Sequence, residues 1–370
     1  MSQPRLLAVA LLTALATAGL RPAEPRRGDA QAAGSALQAA LESWTHDPTH
    51  YGVSASVVFP DGARWSGAAG RAGPEWLRPD HLMQIASITK TMTAAVVLQL
   101  VDEGVLRLDD TAERWLDPHP HVSPAITIQQ LLNHTAGIAN YTGTEGLAAA
   151  IAADPTHVFS PGELLGFVGP ALFAPGEATS YTNTSFLLLG QIAERATERP
   201  IVELYRARLW APLGLDAIFL PGLEDPPGPV AFALDRGVVV DPLEQQAVLS
   251  VGHSAFGLMA TAETVAAWGH ALFTGTVVSE EMQLAMRTLV PAAGNIPGEA
   301  GAGLGIRGYA YHDRVQFGHS GGARFGSSLL LHDPATLTTV AVIMNQGVGA
   351  DHFALAPLLL HLATDDIVHE

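Results

Sequence analysis

A serine and the only lysine of the chain stand three residues apart in the stretch "QIASITKTM". Ser87 precedes Lys90 at the start of an apolar segment whose spacing predicts a helix. Residues three apart share a helix face, so the Lys90 amine can reach the Ser87 hydroxyl. A serine hydroxyl is a weak nucleophile unless a nearby base takes its proton, and a desolvated lysine can serve as that base. The pair therefore suggests nucleophilic catalysis.

The alternative interpretation of this pair is structural. Serine is a preferred N-cap residue, and Lys90 would then be an ordinary surface side chain. A cation in the first turn, however, opposes the helix dipole at a cost of up to about 1 kcal/mol. An unfavourable position occupied by the sole lysine of 370 residues indicates chemistry. The start of a helix would also offer backbone N–H groups to an acyl oxyanion.

Two further polar groups follow along the chain. Tyr181 and Asn183 precede a predicted helix, and His319 ends a predicted strand just before Gly321 and Gly322. Each group has a structural interpretation when taken alone: a helix cap and a packed ring for the first, a turn for the second. Together, the order Ser-x-x-Lys, Tyr-x-Asn, His-x-Gly matches a known arrangement of one hydrolytic site.

The elements that must position these residues come from both chain ends. Alternation and turn residues predict strands at 53–59, 63–69, 304–311, 315–319, 325–332 and 337–345, with turns at Asp61-Gly62, His312-Asp313, Gly321-Gly322 and Asp333-Pro334. Helical spacing predicts helices at 89–103, 128–132, 184–197, 202–209, 262–273, 280–287 and 351–367. Residues 155–175 and 221–229 are interpreted as long surface connections.

This pattern predicts an α/β (α+β) fold in which an antiparallel sheet is flanked by helices. Residues 33–108 and 250–370 would form the discontinuous α/β domain, and residues 109–249 an inserted helical domain.

Composition excludes several classes of function. A net charge of −17 argues against a nucleic-acid partner and against docking on an anionic membrane surface. The 15 histidines lack metal-ligand spacing, so we predict no metal and no cofactor. The chain has no cysteine, so stability must come from its core.

The N-terminus predicts export. Arg5 precedes an apolar run, and Ala16-Thr17-Ala18 is a small-residue cleavage pattern. The run is shorter than the roughly 20 residues of a spanning helix. We therefore interpret residues 1–32 as a signal peptide and linker, with the cleavage position open, and expect a secreted or periplasmic protein without a stable membrane span.

Longer segments extend the three motifs into a family resemblance. The segments are "ASITKTMTAAVVLQLVDEGVLRLDD" (86–110), "ITIQQLLNHTAGI" (126–138), "PGEATSYTNTSFLLLGQIAE" (175–194), "FGLMATAETVAAWGHAL" (256–272) and "FGHSGG" (317–322). Over residues 53 to 345, the chain resembles the penicillin-recognising serine hydrolases, which include class C β-lactamases, D-alanyl-D-alanine carboxypeptidases and family VIII esterases.

The resemblance implies an acyl-enzyme mechanism. Ser87 would attack a carbonyl, while Lys90 and Tyr181 share the proton work, with Tyr181 as general base. Asn183 would bind the amide carbonyl of the substrate. The backbone N–H groups of Ser87 and Gly322 would form the oxyanion hole, each donor contributing about 3 kcal/mol.

The remaining site residues bear on substrate choice. His319 stands where many relatives carry lysine, which favours peptidase-like or esterase-like members over efficient class C β-lactamases. With Gly321 and Gly322 it is assigned to substrate binding, and a cationic His319 is the hypothesis for holding an anionic substrate. Arg324 is a candidate for binding a substrate carboxylate; an exposed turn arginine is the equal alternative.

These residues predict a D-Ala-D-Ala carboxypeptidase-like amide hydrolase that acts on small molecules or peptides and is acylated by β-lactams such as penicillins. An esterase, an amidase or a weak β-lactamase on the same scaffold is the alternative. A non-catalytic binding protein is a third, poorer interpretation, because the catalytic side chains are intact.

Overall fold

The largest element of the protein is an eight-stranded antiparallel sheet. The computed structural model describes residues 27–291, 296–311, 314–347 and 351–368. Numbered along the chain, the strands are β1 Gly52–Val58, β2 Arg64–Ala72, β3 Glu75–Trp76, β4 Met83–Gln84, β5 Ile218–Phe219, β6 Ala233–Asp235, β7 Val238–Val240, β8 Met259–Ala260, β9 Glu299–Ala302, β10 Arg307–Tyr311, β11 Arg314–Gly322, β12 Ser327–Asp333 and β13 Thr338–Met344. The strand order in the large sheet is β3-β2-β1-β13-β12-β11-β10-β9.

Helices cover both faces of this sheet. They are α1 Arg27–Trp44, α2 Thr89–Asp102, α3 Ile128–Leu132, α4 Glu145–Ala153, α5 Pro161–Leu165, α6 Asn183–Thr197, α7 Ile201–Tyr205, α8 Ala211–Leu213, α9 Gln246–Ser250, α10 His253–Phe256, α11 Ala262–Phe273, α12 Glu280–Arg287 and α13 His352–Val368. Short 3₁₀ turns lie at Ala86–Ile88, Ala112–Arg114 and Pro242–Glu244, and a π-helical turn at Arg206–Trp210.

Alternation along the central strands produces two apolar layers. On β13, Val340, Val342 and Met344 belong to the layer that contains α1 and α13, whereas Ala341 and Ile343 belong to the layer that contains α2 and α11. Successive side chains of a strand point to opposite faces, so a strand covered on both sides is apolar throughout. The central strands are fully buried for this reason.

The predicted sheet from both chain ends is confirmed. Strand β1 lies between β2 and β13, with Val53 opposite Met344 in the antiparallel register. The predicted hairpin turn is present: Gly62 has a φ of 82°, and Asp61 Oδ1 accepts a 2.9 Å hydrogen bond from the Ala63 N–H. Such a φ favours glycine, which explains the Asp-Gly signal.

The helix that carries Lys90, α2, is enclosed by the rest of the fold along most of its length. Residues 92–98 of α2 are all buried, so the helix is covered on every side rather than on one stripe. The 3₁₀ turn before it packs on β11 and β12, and the Ser328 hydroxyl donates a 2.7 Å hydrogen bond to the Ile85 carbonyl. This contact fixes the turn that holds Ser87.

Two sequence expectations about loops are wrong. Gly321 and Gly322 do not form a turn, because β11 continues through Gly322 and pairs with β12 there. A Cβ on Gly321 would lie 2.5 Å from the Ile85 carbonyl oxygen, so glycine permits the close approach of the strand and the 3₁₀ turn. The connection at 155–175 contains α5, which starts with a capping box between Ser160 and Glu163.

The N-terminal prediction falls mostly outside the described residues. Helix α1 begins at Arg27, so the backbone of residues 27–32 is helical and not an irregular linker. The signal peptide and the export of the protein stay predictions, as do the domain boundaries. Among the residues that the structure describes, no helix is long and apolar enough to span a bilayer.

Candidate active site

A cavity of about 300 Å³ opens between the sheet and the helices. It brings together Ser87, Tyr181 and Gly322, three of the residues predicted from sequence. Its lining residues are Ser87, His134, Thr179, Tyr181, Ile296, Glu299, Ala302, Arg307, Ser320 and Gly322. Open space surrounds the Cα of Gly322, because a Cβ built there meets no atom within 4 Å. The backbone N–H groups of Ser87 and Gly322 thus belong to residues of one cavity wall, as an oxyanion hole requires.

Ser87 lies in the 3₁₀ turn that leads into α2. The preceding residue, Ala86, has a φ of 49°, an uncommon conformation for a residue with a Cβ. Ser87 is not the N-cap of the 3₁₀ turn or of α2, because those positions are occupied by Ile85 and Ile88. The capping interpretation is therefore not observed, and the hydroxyl lies on the cavity wall.

Lys90 is fully buried, and no carboxylate of the described residues pairs with it. Its Nζ lies 3.3 Å from Ser87 Oγ, 2.7 Å from Asn183 Oδ1 and 2.9 Å from the Ala255 carbonyl oxygen. Burial, and then the positive charge of Arg307, lower the pKa of Lys90 well below its usual value.

The contacts of Lys90 explain how it can act as a base. A neutral amine has two N–H groups and one lone pair. The Ala255 carbonyl and the amide oxygen of Asn183 only accept hydrogen bonds, so they take the two N–H groups. The lone pair is then left for the Ser87 hydroxyl proton.

Two basic side chains lie close to the ring of Tyr181. Lys90 Nζ lies 4.8 Å and Arg307 Cζ 4.6 Å from the ring centroid. Burial raises the pKa of Tyr181, while the charge of Arg307 and hydrogen bonds with Ser87 and Arg307 oppose that rise. Tyr181 thus lines the same cavity as the nucleophile and lies beside Lys90, as a shared proton-transfer unit requires.

Asn183 connects two parts of the site at the start of α6. The N-cap of this helix is Thr182, whose hydroxyl accepts a 3.1 Å hydrogen bond from the Thr184 N–H. The Asn183 side chain is therefore free of the capping role that its position suggested. Its amide group accepts from Lys90 and donates to Thr142 Oγ1 at 3.1 Å. Asn183 holds the lysine in place, and its binding to a substrate carbonyl stays a prediction.

His134 is a site residue that motif reasoning missed. Its carbonyl accepts from the Ser180 N–H at 3.0 Å, and its Nδ1 accepts from the Thr182 N–H at 3.4 Å. These bonds bracket Tyr181, whose ring centroid lies 4.5 Å from that of His134. Its φ of 63° is a second uncommon conformation at the site. The only signal was its place in the segment 126–138, which carried the family resemblance.

His319 lies behind the cavity wall. Its residue is 1% exposed, and its Nδ1 lies 2.6 Å from the Ser320 carbonyl, to which it donates. Burial, followed by the charges of Arg307 and Lys90, lowers the pKa of His319 well below its usual value. This environment favours a neutral imidazole and argues against the cationic His319 that the sequence suggested.

The cation on the cavity wall is Arg307, which the sequence did not indicate. Its side chain is 7% exposed and is paired with Glu299, which is 2% exposed. Glu299 lies on β9, whose sequence "EAGA" has no strand propensity and forms a strand by pairing with β10. A periodic pattern in the sequence therefore could not predict that Arg307 and Glu299 form a pair.

Arg324 and Gly321 do not contact the cavity. Arg324 is paired with Asp235, at 2.9 Å from its Nε and 2.7 Å from its Nη2. Gly321 is packed against the turn before α2. The predicted carboxylate-binding role of Arg324 is therefore not supported by its position, and Gly321 supports the nucleophile's turn instead. Among the described residues, no cluster of three or more histidine, aspartate or glutamate side chains could hold a metal ion.

The serine, the desolvated amine, the phenol and the two backbone N–H groups lie around one cavity. Together they are the catalytic groups that a serine hydrolase needs. The Beta-lactamase family model matches residues 17–364. The chain belongs to this family of serine hydrolases.

Curated relatives match parts of the chain. Similarity reaches 29% identity over 145 residues with penicillin-binding protein 4* of Bacillus subtilis (38% of this chain, 31% of the relative). It reaches 35% over 139 residues with a D-aminopeptidase of Brucella anthropi (37% and 26%) and 34% over 167 residues with esterase EstB of Burkholderia gladioli (41% and 42%). The chain spans about a quarter to two fifths of the length of these relatives.

Solved structures match nearly the whole fold. A D-stereospecific amidohydrolase from Streptomyces sp. is 29% identical, with a TM-score of 0.77 over 87% of this chain and 97% of that one. A D-amino acid amidase from Ochrobactrum anthropi SV3 has a TM-score of 0.79 over 91% and 99%, at 23% identity, and supports the fold alone. The predicted fold class is thereby confirmed.

Proposed function

We propose that this protein cleaves amides of D-amino acids, or short peptides that begin with one, through an acyl-enzyme on Ser87. The similarity to a D-stereospecific amidohydrolase over most of both chains supports this choice. The partial similarity to a D-aminopeptidase points the same way.

The observation that carries the proposal is the charge state of the cavity. Arg307, which lines the cavity, already has a carboxylate partner in Glu299. Arg324 is paired with Asp235, away from the cavity, and burial favours a neutral His319. A substrate with a carboxylate beside the scissile bond would need a free cation. An amide or an aminopeptidase substrate of the proposed kind needs none there.

The proposed mechanism uses the described contacts. Ser87 attacks the carbonyl carbon while Lys90 takes its proton, and the oxyanion accepts from the N–H groups of Ser87 and Gly322. Tyr181 relays that proton to the leaving amine, which departs as the carbonyl re-forms. The same groups then activate a water molecule, which hydrolyses the ester at Ser87 and releases the acid.

A direct comparison of substrates tests the proposal. We expect kcat/KM for D-alanine p-nitroanilide to exceed that for its L-enantiomer and that for diacetyl-L-Lys-D-Ala-D-Ala, each by at least about tenfold, equal to about 1.4 kcal/mol. Ser87→Ala is the control and should lose activity and fluorophosphonate labelling. Preference for the L-amide, or for the carboxylate-bearing peptide, would contradict the proposal.

A D-Ala-D-Ala carboxypeptidase that is acylated by penicillins is the second candidate, supported by the partial similarity to penicillin-binding protein 4*. Similarity to esterase EstB keeps an esterase activity on the same site as a further alternative. Labelling of Ser87 by a fluorescent penicillin separates these candidates. Rapid labelling together with efficient cleavage of the D-Ala-D-Ala peptide would favour the carboxypeptidase.

A further inference from the structure

A buried ion pair forms part of the cavity wall. Arg307 begins β10 and lies opposite Gly318, next to His319 on β11. Glu299 begins β9 and accepts a hydrogen bond from Arg307 Nη1. The two side chains are 7% and 2% exposed. Removing two charges from water costs so much that such a pair is weak evidence for stability, and a role in the site has to be considered.

The position of Arg307 connects it to the proton-transfer groups. Its Cζ lies 4.6 Å from the centroid of the Tyr181 ring, and Arg307, Tyr181 and Ser87 all line the same cavity. Glu299 fixes the guanidinium from the neighbouring strand. A planar guanidinium held by a carboxylate keeps one orientation and stays charged at every relevant pH.

We infer that Arg307, held by Glu299, is a positioning residue for Tyr181. Its guanidinium holds the Tyr181 ring beside Ser87 and supplies the fixed positive charge that the buried imidazole of His319 does not. The inference rests on the proposed acyl transfer at Ser87 and is independent of the choice of substrate.

The surroundings of Tyr181 determine the sign of the expected effect. The titratable and charged groups that face it are Lys90 from α2, His134 after α3, Tyr141 before α4, Glu299 from β9, Arg307 from β10 and His319 from β11. The charge of Arg307 acts against protonation of both Lys90 and Tyr181. Loss of that charge therefore raises both pKa values, so the basic forms are reached only at higher pH.

The test is the pH dependence of kcat/KM for p-nitrophenyl acetate, from about pH 5 to about pH 10, where the profile reports the free enzyme. Arg307→Met should move the ascending limb to higher pH by about one unit, which lowers the rate about tenfold on the acidic side of the limb. Arg307→Lys keeps a charge to about pH 10 and should hold the limb within about half a unit of the wild type.

Glu299→Gln is the matched variant, for which we expect the pH profile to shift in the opposite direction. It retains a hydrogen-bond acceptor for Arg307 but removes the neutralising carboxylate, so the net positive charge beside Tyr181 increases. The ascending limb should then move to lower pH. A purely structural role of the pair predicts no such opposition. Thermal unfolding of each variant checks folding, and if Arg307→Met does not fold, Arg307→Met/Glu299→Met replaces it, since an apolar pair leaves no buried charge.

The outcomes separate this inference from the proposed function. Limbs that stay in place, or that move the same way in Arg307→Met and Glu299→Gln, would overturn the positioning role. A rise in KM confined to carboxylate-bearing substrates would also overturn it, because Arg307 would then bind substrate. If the two variants shift the limb in opposite directions but the D-amide is not preferred, only the proposed substrate is rejected. Fluorophosphonate labelling that persists in Ser87→Ala would reject the acyl transfer itself.

Discussion

Lys90 and Arg307 are two buried basic residues beside Tyr181, and their environments differ in one respect. Among the described residues, the hydrogen-bond partners of Lys90 are all neutral: the Ser87 hydroxyl, an amide oxygen and a backbone carbonyl. Arg307 has a carboxylate, Glu299. Burial without a counter-charge favours the neutral amine, whereas a paired guanidinium keeps its charge. One residue is thus suited to exchange a proton and the other to supply a constant field.

This difference also explains why histidine is suited to position 319, in the His-x-Gly motif. A lysine at position 319 would place a third basic side chain near Lys90 and Arg307. The imidazole of His319 avoids this, since burial and both neighbouring charges favour its neutral form. The positive charge of this side of the site comes from the next strand, β10. A positive charge that one relative places at a motif position can therefore come from a neighbouring strand in another, while the fold stays the same.

The largest expected effect comes from giving Lys90 the properties of Arg307. Lys90→Arg keeps a positive charge but cannot lose its proton near neutral pH. We expect both Lys90→Arg and Lys90→Ala to slow acylation of Ser87 by about 10²–10⁴-fold, as for loss of an acid–base group. The measurement is the rate of fluorophosphonate labelling near pH 8, with thermal unfolding as the control for folding. Near-normal labelling in Lys90→Arg would show that Lys90 contributes charge rather than proton transfer.

The signals that sequence could read are local ones. Helices α3, α11 and α12 match their predicted bounds, since their caps and apolar spacing lie within a few residues of one another. The contact between Ser87 and Lys90 follows from helix geometry, and the structure places both where the motif predicts. The role of Tyr181 as the base stays a prediction, although its ring lies beside Lys90.

The features that could not be predicted from the sequence depend mostly on contacts between distant segments. Glu299 reaches the cavity only because a short strand of small residues pairs with β10. Arg307 sits at the β10 end of that pairing, so neither residue has a local pattern that marks it. Similarly, α4 "EGLAAAIAA" has one buried side chain, Leu147, and lacks the apolar stripe that predicts a helix. Gly321 and Gly322 together are typical of a turn. The close contact of Gly321 with the turn before α2 could not be predicted, because that turn is more than 200 residues away in the sequence.

A smaller effect is expected on stability, where the same substitution should act differently at the two positions. Arg307→Met leaves Glu299 buried without a counter-charge and should lower the free energy of unfolding by about 3–5 kcal/mol. Lys90→Met removes hydrogen bonds to neutral groups and should cost only about 1–3 kcal/mol. Chemical denaturation of both variants at the same pH measures the difference. Equal losses would mean that the Glu299 carboxylate does not depend on Arg307 for its charge compensation.

The smallest effect is expected at His319. Because the pKa of His319 lies well below its usual value, the ring stays neutral as pH rises through about 6.5, the unperturbed midpoint. No fall in activity should follow from its deprotonation there, for a D-amide, an ester or a carboxylate-bearing peptide. His319→Gln keeps a donor for the Ser320 carbonyl, which His319 Nδ1 now serves at 2.6 Å, and should change kcat/KM less than about tenfold without moving the pH profile. The comparison is made on one ester and one peptide across the same pH range. A descending limb near pH 6.5 that appears only with the peptide and disappears in His319→Gln would restore the cationic role suggested by the sequence. It would also mean that the fixed charge of Arg307 is not sufficient for this side of the site.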